Sequence, residues 1–384
     1  MGKLFLKNCR ILESDTKVNI VISNNKISQI LPFDEFVCYD NSYDMKGKRV
    51  LPGYIDLHIH GAGGGEVFKG EIEEFQKISS TLVKYGVTGI TPTTIVNPEN
   101  DYLQLRKLKD CMDHDFTGTR LLGLHLEGPF VNIIKKGGIP ITSVRDYNRD
   151  ELLKIINILG DHLKMMTIAP EISPNMEIID ILLEHNIVPA LGHTNISYEK
   201  AHKAFDKGVK HVTHVFNAMP SLHHREPGPL LVILERKDIS VQIISDGVHL
   251  NPAIVHYLYN SIGIKNCVCV SDGQSVIGLP DGKFDINGGL YLKNGEKATD
   301  INGNLIGTAL DVGNIAQKFQ KFTGCTEFEA NQSISNNPVK VLCLIDKYGS
   351  IEFGKIADLV VLDESGSIEQ VFIDGALQYE KITD

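Results

Sequence analysis

The chain has 384 residues, of which 42% are hydrophobic and 22% charged, so it can bury a large core and has an ordinary globular composition. Its formal net charge of −10 argues against nucleic acid and anionic membrane surfaces as main partners, because both are negatively charged themselves. No apolar run is long enough for a signal peptide or a membrane span, and the seven cysteines lack a disulfide-scaffold spacing, so we expect a cytoplasmic protein.

Both ends of the chain carry the pattern of short antiparallel strands. Residues 1–50 alternate apolar and polar side chains between Asn and Gly breaks, and residues 350–380 return to the same style. Neither segment can bury a face alone, so we expect the two to pack together. The sequence therefore predicts a small β-sandwich domain built from residues 1–50 and 346–384.

Between these ends, apolar strand-like runs alternate with helical stretches about eight times. The runs are YIDLHIH (54–60), VTGITPTTI (87–95), RLLGLHLEG (120–128), LKMMTIAPE (163–171), IVPALGHT (187–194), KHVTHVFNA (210–218), ISVQIISDG (239–247) and NCVCVSDG (266–273). Near-continuous apolar strands with helical crossovers are typical of a parallel sheet covered on both faces. Eight such units predict a closed (β/α)8 TIM-like barrel, with residues 51–345 as the barrel domain.

An open doubly wound sheet is the alternative to the barrel. No glycine fingerprint for a dinucleotide or a P-loop follows the first strand, which disfavours the nucleotide-binding version of that fold. After the eighth run, residues 283–304 have the pattern of a β-rich insertion, and residues 311–322 and 326–344 that of helices.

The stretch LPGYIDLHIHGAGGG (51–65) places His58 and His60 at the end of the first apolar run. Residues two apart on a strand project from one face, and the glycines that follow end the strand and leave room around both imidazoles. Such a pair at the C-terminal mouth of a buried strand is half of a divalent metal site, for which the rest of the chain must supply further ligands.

Further imidazole and carboxylate residues lie near the ends of later strands. Glu127 ends the third run, His193 the fifth and Asp272 the eighth, and the sixth carries His214. In a barrel the C-terminal strand ends converge on one mouth, where active sites are built. Six such residues at the same end of five strands therefore predict a metal site.

The donors are nitrogen and oxygen only, which suits Zn²⁺, Fe²⁺, Mn²⁺ or Co²⁺ and disfavours a thiolate site. Glu127, His193 and His214 would hold one ion with positions open for water and substrate. His58 and His60 would hold a second ion with Glu127 as the bridge, which gives one or two ions per subunit.

Asp272 is the expected proton carrier of a hydrolysis at such a site. A divalent ion lowers the pKa of bound water to about 7 and polarises a carbonyl oxygen, and a nearby carboxylate can take the water proton and give it to the leaving nitrogen. The alternative role of Asp272 is that of a further metal ligand, and the two roles can coexist.

The remaining cysteines and histidines of the strands have simpler interpretations. Cys267 and Cys269 fit a thiol metal site or, from the alternation in NCVCV, buried strand residues, which we favour. His125 is expected to be a core or supporting residue, and His211, with the opposite parity to His214, is expected to point away from the site.

Seven motifs resemble the amidohydrolase superfamily and, within it, the N-acetylglucosamine-6-phosphate deacetylase branch. They are LPGYIDLHIHG, GLHLEGPFVN, ALGHTN, THVFNAMPSLHHREPG, ISDGVHL, VSDGQSVIGLPDG and IEFGKIADLVVLD, in family order from residue 51 to about 363. The resemblance implies metal ligands at Glu127, His193 and His214, with the catalytic acid and base at Asp272. It also implies that HIHG members hold a second ion, and that Glu127 replaces the bridging carboxylated lysine of many superfamily members.

The resemblance further implies a set of substrate contacts. Phosphate-binding positions fall on Asn217, Ala218, Arg225 and His249, and His249 would come from the neighbouring subunit of a homodimer. An arginine can contact phosphate oxygens in a bidentate way, and the backbone amides at 217–218 could add uncharged donors. Segments that line the sugar would include Gly138, Asp246, Gly247, Val248, His249, Leu305, Ile306, Gly307 and Thr308.

The implied activity is metal-dependent deacetylation of N-acetyl-D-glucosamine 6-phosphate to D-glucosamine 6-phosphate and acetate. One position departs from the pattern: relatives commonly have a histidine after KKG that contacts the sugar, whereas this chain has Ile139. A related substrate such as N-acetylgalactosamine 6-phosphate is therefore an alternative. A cyclic-amide amidohydrolase and a non-enzymatic scaffold would share the barrel, but the missing lysine on the fourth strand argues against the first and the intact ligand set against the second.

Overall fold

The computed structural model describes residues 3–12, 16–35, 41–286 and 289–382. Its first part forms five strands, β1 (Leu4–Ile11), β2 (Thr16–Ser23), β3 (Lys26–Pro32), β4 (Asn41–Asp44) and β5 (Arg49–Pro52). The alternation of buried and exposed side chains predicted for this part is clear at the start of β3, where Ile27 is fully buried directly after exposed Lys26.

The middle of the chain alternates strands and helices. In order these elements are β6 (Tyr54–Ile59), β7 (Gly61–Ala62), β8 (Gly65–Glu66), α1 (Ile72–Leu82), β9 (Val87–Thr94), α2 (Glu99–Met112), β10 (Arg120–Leu121), β11 (Leu124–Glu127), α3 (Arg149–Leu159), β12 (Leu163–Ile168), α4 (Glu177–Glu184), β13 (Val188–Leu191), α5 (Tyr198–Lys207), β14 (His211–Val212), α6 (Gly228–Glu235), β15 (Ser240–Ile243), α7 (Pro252–Ile262) and β16 (Cys267–Cys269). Single turns of 3₁₀ helix occur at Val83–Tyr85, Ile133–Lys135, Ile141–Ser143, Gly160–His162, Pro170–Ile172, Pro174–Met176 and Ile264–Asn266.

The last part begins with the expected β-rich insertion and ends in three more strands. These elements are β17 (Gly282–Ile286), β18 (Gly289–Asn294), β19 (Lys297–Thr299), β20 (Leu305–Thr308), α8 (Val312–Thr323), α9 (Glu327–Gln332), α10 (Asn336–Val341), β21 (Leu359–Leu362), β22 (Ile368–Ile373) and β23 (Ala376–Glu380). Strands β17 to β20 form an antiparallel sheet of their own.

Both chain ends contribute to a single eight-stranded sheet. Its order is β23-β22-β21-β5-β1-β2-β3, with β4 paired to β1, so β5 and β21 join the two ends of the chain. Leu6, Ile20, Leu359 and Phe372 are buried in one core beneath it. The predicted domain boundaries, residues 1–50 with 346–384 and residues 51–345, stay a prediction, and β5 runs across the first of them.

Apart from β7 and β8, which form an antiparallel pair of their own, the remaining strands form the predicted parallel barrel. The order is β6, β9, β11, β12, β13, β14, β15 and β16, and every neighbouring pair is parallel; β10 extends the third strand beside β9. The backbone N–H of Asp272 donates to the carbonyl of His58 at 2.9 Å, and that of His60 to the carbonyl of Gly273 at 2.8 Å. These bonds join the last strand to the first, so the fold-class prediction is confirmed.

The strands are buried on both faces because the helices cover the outside and side chains fill the inside. All eight residues of β9 and all six of β6 are buried. Asn148, Ser197 and Asp311 cap the N-termini of α3, α5 and α8 with their side chains. Among the described residues, no helix has the length and apolar character that crossing a membrane requires.

Candidate metal centre at the mouth of the barrel

The six predicted site residues lie at the C-terminal ends of the barrel strands. His58 lies in β6 and His60 directly after it, and Glu127 is the last residue of β11. The other three residues, His193, His214 and Asp272, follow the ends of β13, β14 and β16 and have positive φ angles of 46°, 24° and 46°. Non-glycine residues rarely adopt this conformation, and they cluster at functional sites.

Glu127, His193 and His214 form one buried group. Oε1 of Glu127 lies 3.0 Å from Nε2 of His193 and 3.0 Å from Nε2 of His214, and the two nitrogens lie 3.0 Å from each other. Ligands about 2.1 Å from a shared ion are separated by about 3.0–3.4 Å in octahedral or tetrahedral arrangements. A carboxylate oxygen and two imidazole nitrogens at these spacings fit a divalent cation.

His58, His60 and Asp272 form a second group beside the first. The Nε2 atoms of His58 and His60 are 3.2 Å apart, and Oδ1 of Asp272 lies 3.6 Å from the former and 3.2 Å from the latter. The ligand atoms of each group lie close enough together to hold an ion. Asp272 therefore lies where a metal ligand could lie. This is the alternative role that the sequence analysis gave to it.

Glu127 faces both groups. Its Oε1 lies 3.7 Å from Nε2 of His58, and its Oε2 lies 3.7 Å from Nε2 of His60. One carboxylate thus approaches all four histidines of the mouth with its two oxygens. The side chain of Glu127 therefore faces both ligand groups.

The carboxylates of the mouth stay ionised although Glu127 is buried and Asp272 half-buried. Burial alone raises the pKa of Glu127, but the electrostatic interaction with His58 and hydrogen bonds from His193 and His214 outweigh it and hold the pKa well below its ordinary value. Burial likewise opposes the ionisation of Asp272, and the hydrogen bond from His60 and the nearby histidine charges lower its pKa. Two anionic carboxylates among imidazoles favour a bound cation.

The surroundings of the histidines shift their pKa values in different directions. Burial lowers the pKa of His58 to about 4, so this imidazole is neutral at pH 7. For His60 and His193 burial acts in the same direction, but hydrogen bonds to Asp272 and Glu127 respectively outweigh it and raise their pKa.

Further residues support these side chains. Nδ1 of His193 donates to the backbone carbonyl of Lys135 at 2.9 Å, and Nδ1 of His58 lies 2.9 Å from Oε1 of Gln242. Asp56 accepts from the backbone N–H of His58 at 3.1 Å and from the hydroxyl of Ser271. Sequence reasoning missed Asp56, Gln242 and Ser271; polar residues inside the apolar runs YIDLHIH and ISVQIIS were the signal that could have found two of them.

Glu171 joins three mouth segments. Its carboxylate accepts from the side chain of Asn132 at 2.9 Å, from the hydroxyl of Thr194 at 2.7 Å and from the backbone N–H of Asn195 at 2.8 Å. This residue belongs to the fourth run, TIAPE, in the sequence. It connects the strand end to the loop that carries His193, and no local sequence pattern singled it out.

The first of the predicted phosphate-binding residues, Asn217, contacts His214 of the Glu127 group. The backbone N–H and side-chain amide of Asn217 both donate to the carbonyl of His214, at 3.0 and 3.3 Å. The expectation that both backbone amides at 217–218 are open donors is therefore wrong for Asn217, whose N–H closes the turn. Ala218 accepts from Thr194 through its carbonyl at 3.2 Å, and Arg225 is exposed on the segment that follows.

His249 lies at the site of its own chain. Its Nδ1 donates to Oδ2 of Asp246 at 2.7 Å, and its Nε2 lies 3.9 Å from Oδ2 of Asp272. Asp246 also accepts from the backbone N–H groups of Val248 and His249 at 2.8 Å, so this carboxylate shapes the loop, and Gly247 provides the positive φ of its turn. Contribution of His249 to a neighbouring subunit stays a prediction, and these contacts favour a role within its own chain.

The remaining predicted sugar contacts lie on two other segments. Gly138 is exposed in the loop after β11, and a Cβ there would meet no atom within 4 Å. Leu305 is exposed and Ile306 half-buried on β20, whereas Thr308 is buried and donates its hydroxyl to the carbonyl of Ser271 at 2.8 Å. At Gly307 a Cβ would lie 2.5 Å from the backbone oxygen of Asp272, so this strand packs against the Asp272 turn.

The residues assigned outside the site are buried. His125 bonds to the hydroxyls of Thr93 and Thr167, at 3.2 and 2.7 Å, beneath the mouth. His211 bonds to Ser240 through Nδ1. Cys267 and Cys269 are buried in β16, as the strand interpretation predicts, and neither belongs to a group of possible metal ligands among the described residues.

A closed parallel barrel with imidazoles and carboxylates at its C-terminal mouth is an arrangement that suits metal-dependent hydrolysis. The sequence model of the amidohydrolase family matches residues 49–377, and the chain belongs to this family. The family is metal-dependent, and the two mouth groups supply residues that could hold the metal.

Within the family, the chain is similar to deacetylases of amino-sugar phosphates. It is 31% identical over 317 residues to N-acetylglucosamine-6-phosphate deacetylase of Bacillus subtilis, a match that covers 82% of this chain and 80% of that protein. It is 30% identical over 329 residues to N-acetylgalactosamine-6-phosphate deacetylase of Escherichia coli, covering 85% and 87%. The crystal structure of N-acetylglucosamine-6-phosphate deacetylase from Pasteurella multocida superposes with a TM-score of 0.88 at 25% identity, covering 98% and 99%.

Proposed function

We propose that this protein is a metal-dependent hydrolase that converts N-acetyl-D-glucosamine 6-phosphate and water to D-glucosamine 6-phosphate and acetate, in amino-sugar catabolism. The observation that carries the proposal is the buried group of Glu127, His193 and His214, whose three ligand atoms are 3.0 Å apart. The similarity to deacetylases of two amino-sugar phosphates supports the substrate class.

The proposed ligands are Glu127, His193 and His214 for one ion, and His58 and His60 for a second that Glu127 bridges. Nitrogen and oxygen donors suit Zn²⁺, Fe²⁺, Mn²⁺ or Co²⁺. A divalent ion in such a site supplies Lewis acidity, which acidifies water and polarises the acetamide carbonyl.

Asp272 moves the proton in the proposed reaction. Its ionised carboxylate accepts a proton from the attacking water and donates it to the amide nitrogen as the carbon–nitrogen bond breaks, so that the amino sugar and acetate leave. When the second ion is absent, His60, with Nε2 3.2 Å from Oδ1 of Asp272, orients that carboxylate. The net charge of the reacting groups is conserved because the same proton is taken up and released.

Recognition of the phosphate is assigned to Arg225, with Asn217, Ala218 and His249 as the further positions. The Arg225 side chain has no hydrogen bond or ion pair among the described residues, so its guanidinium is free to bind an anion. Charge-assisted bonds from a guanidinium to phosphate are roughly twice as strong as neutral hydrogen bonds. The sugar contacts assigned from the family resemblance stay part of this proposal.

Acetate release from N-acetylglucosamine 6-phosphate, compared with unphosphorylated N-acetylglucosamine, tests the function. We expect metal-dependent release from the phosphorylated sugar, and Arg225→Ala should raise its KM while leaving the unphosphorylated sugar unaffected. Arg106→Ala, which removes an exposed arginine of α2, is the control and should change neither. No metal-dependent release at millimolar substrate would refute the proposal.

N-acetylgalactosamine 6-phosphate is the second candidate substrate. Ile139 is buried in the loop after β11, at the position where relatives commonly carry a sugar-contacting histidine, and an isoleucine donates no hydrogen bond. One of the similar proteins is named for its action on that epimer. The ratio of kcat/KM for the two epimers decides between them.

The assembly and location complete the proposal. Apolar side chains are exposed on the loop that follows β11, including Ile134 at 73% and Ile141 at 66%, which favours a homodimer that covers them. Light scattering after gel filtration measures this directly. The six described cysteines are free thiols, which favours the reducing cytoplasm.

A further inference from the structure

Gln242 is a fully buried amide in the middle of β15. Its side chain has 0% of its surface exposed, and its neighbours in the strand are Val241 and Ile243. A buried polar group is costly unless it is hydrogen-bonded, so its contacts indicate what it does. No part of the proposed reaction uses this residue.

The contacts of Gln242 fix which way its amide points. Oε1 lies 3.3 Å from the backbone N–H of His214, an obligatory donor, so the atom that faces it has to be the oxygen. The other end, Nε2, lies 3.7 Å from the sulfur of Met165, a weak acceptor. The reverse orientation would place an NH₂ group against an N–H group.

This orientation determines the tautomer of His58. The same Oε1 lies 2.9 Å from Nδ1 of His58, and an amide oxygen only accepts hydrogen bonds, so Nδ1 has to carry the proton. The unprotonated Nε2 then faces the mouth, 3.2 Å from Nε2 of His60 and 3.7 Å from Oε1 of Glu127. A lone pair at that nitrogen is what a metal ligand needs.

We propose that Gln242 is a positioning residue that holds His58 in its Nδ1-protonated tautomer and, through the same oxygen, anchors the backbone of His214. Because His58 belongs to one ligand group and His214 to the other, one amide oxygen ties the two groups together. The inference deepens the proposed metal centre and rests on it for the role of Nε2, although the tautomer itself does not depend on a metal.

Removing the amide oxygen would redirect the proton. Among the described residues, Nδ1 of His58 has no second hydrogen-bond acceptor, and the rings of His125 and His214 pack against the imidazole at 4.9 and 5.4 Å between centroids. The proton would then be more stable on Nε2, which faces the carboxylate oxygens of Glu127 and Asp272 at 3.7 and 3.6 Å. That proton would compete with a cation for Nε2.

Histidine ring NMR of the metal-free protein tests the tautomer. In protein labelled with ¹⁵N-histidine, and with the signal assigned by its loss in His58→Gln, we expect Nδ1 of His58 to be protonated and Nε2 not. Gln242→Met should shift the proton to Nε2, and Gln242→Glu, which keeps an acceptor oxygen, should preserve the wild-type pattern. A wild-type His58 that is protonated on Nε2 overturns the proposal without any variant.

Calorimetric titration with Zn²⁺ tests the consequence for the metal. We expect Gln242→Met to weaken binding at the His58 group by about 10- to 100-fold, the usual effect of losing a residue that orients a ligand, and Gln242→Glu to restore it. Gln104→Met, which removes another buried glutamine bonded outside the mouth, is the control and should leave both the tautomer and the titration unchanged. Equal Zn²⁺ affinities in wild type and Gln242→Met would refute the proposal, whereas a correct tautomer without acetate release would refute only the proposed function.

Discussion

Asp272→Asn separates proton transfer from metal binding. The carboxylate lies 3.2 Å from Nε2 of His60 and 3.6 Å from Nε2 of His58, and it does not belong to the group of Glu127, His193 and His214. Asparagine has the same shape but cannot accept and return a proton at neutral pH. The substitution should therefore remove general acid–base catalysis and leave the ion of the Glu127 group in place.

The expected loss follows from that role. General acid–base catalysis contributes about 10²- to 10⁴-fold, so kcat for acetate release should fall by that factor, which is about 3 to 5 kcal/mol of transition-state stabilisation. KM should change little, because Asp272 is not among the residues assigned to the phosphate. Steady-state acetate release from N-acetylglucosamine 6-phosphate gives both constants, and elemental analysis gives the metal content.

A matched control is Asp311→Asn, which alters a buried carboxyl that caps α8 away from the ligand groups. This control should keep kcat close to the wild-type value, even if its stability falls. An Asp272→Asn enzyme with full metal content and a kcat within about tenfold of wild type would refute the assignment, since acid–base catalysis contributes at least about 10²-fold. Loss of the Glu127-group ion together with activity would show that Asp272 is needed as a ligand.

Three further results are expected. Arg120→Met should lower the free energy of unfolding by about 2 to 4 kcal/mol in urea titrations, because it leaves Asp358, whose side chain is 7% exposed, without the guanidinium that lies 2.5 Å away. Burial raises the pKa of Asp358, and Arg120 opposes this shift. Without Arg120 the folded protein therefore holds the Asp358 proton more tightly than the unfolded chain does, and the loss of folding stability should grow as the pH rises from about 4 to 7. A loss of stability that is independent of pH would contradict this. Dialysis against a chelator should abolish acetate release, and Zn²⁺, Mn²⁺, Fe²⁺ or Co²⁺ should restore it; activity that survives complete metal removal would contradict the metal assignment. Burial raises the pKa of the Cys269 thiol to about 12, whereas Cys343 is exposed. Peptide mapping after thiol labelling at mildly alkaline pH should therefore find Cys343 modified and Cys269 protected until the protein unfolds. Rapid labelling of Cys269 in the native protein would contradict its burial.

Strand periodicity was enough to predict the barrel, because near-continuous apolar strands joined by helices occur almost only in parallel sheets that are covered on both faces. It was less informative about where strands end. The sixth run was interpreted as a strand from 210 to 218, whereas β14 covers only His211–Val212 and His214 follows in a turn with positive φ. The turn is held by tertiary contacts, including the bond from its backbone to Gln242, and no local pattern encodes these.

The sequence predicted those parts of the candidate site that lie at or near the ends of strands. The spacing of His58 and His60, the ends of the third, fifth and eighth runs and the presence of His214 in the sixth were enough to propose a common mouth. Supporting contacts depend on residues far apart in the chain, such as Gln242 and His58, so they require the folded structure. Residues 217–218 illustrate the limit, since a loop in the sequence does not reveal that the N–H of Asn217 is already bonded to His214.

Metal stoichiometry and affinity test the central claim most directly. Calorimetric titration of the metal-free wild-type protein with Zn²⁺ should give at least one tightly bound ion per chain. Glu127→Gln, which replaces the shared carboxylate by an amide of the same shape, should weaken that binding by more than the roughly 10- to 100-fold expected for a merely supporting residue. A wild-type protein that binds no stoichiometric ion, or a Glu127→Gln variant that binds Zn²⁺ as tightly as wild type, would contradict the account.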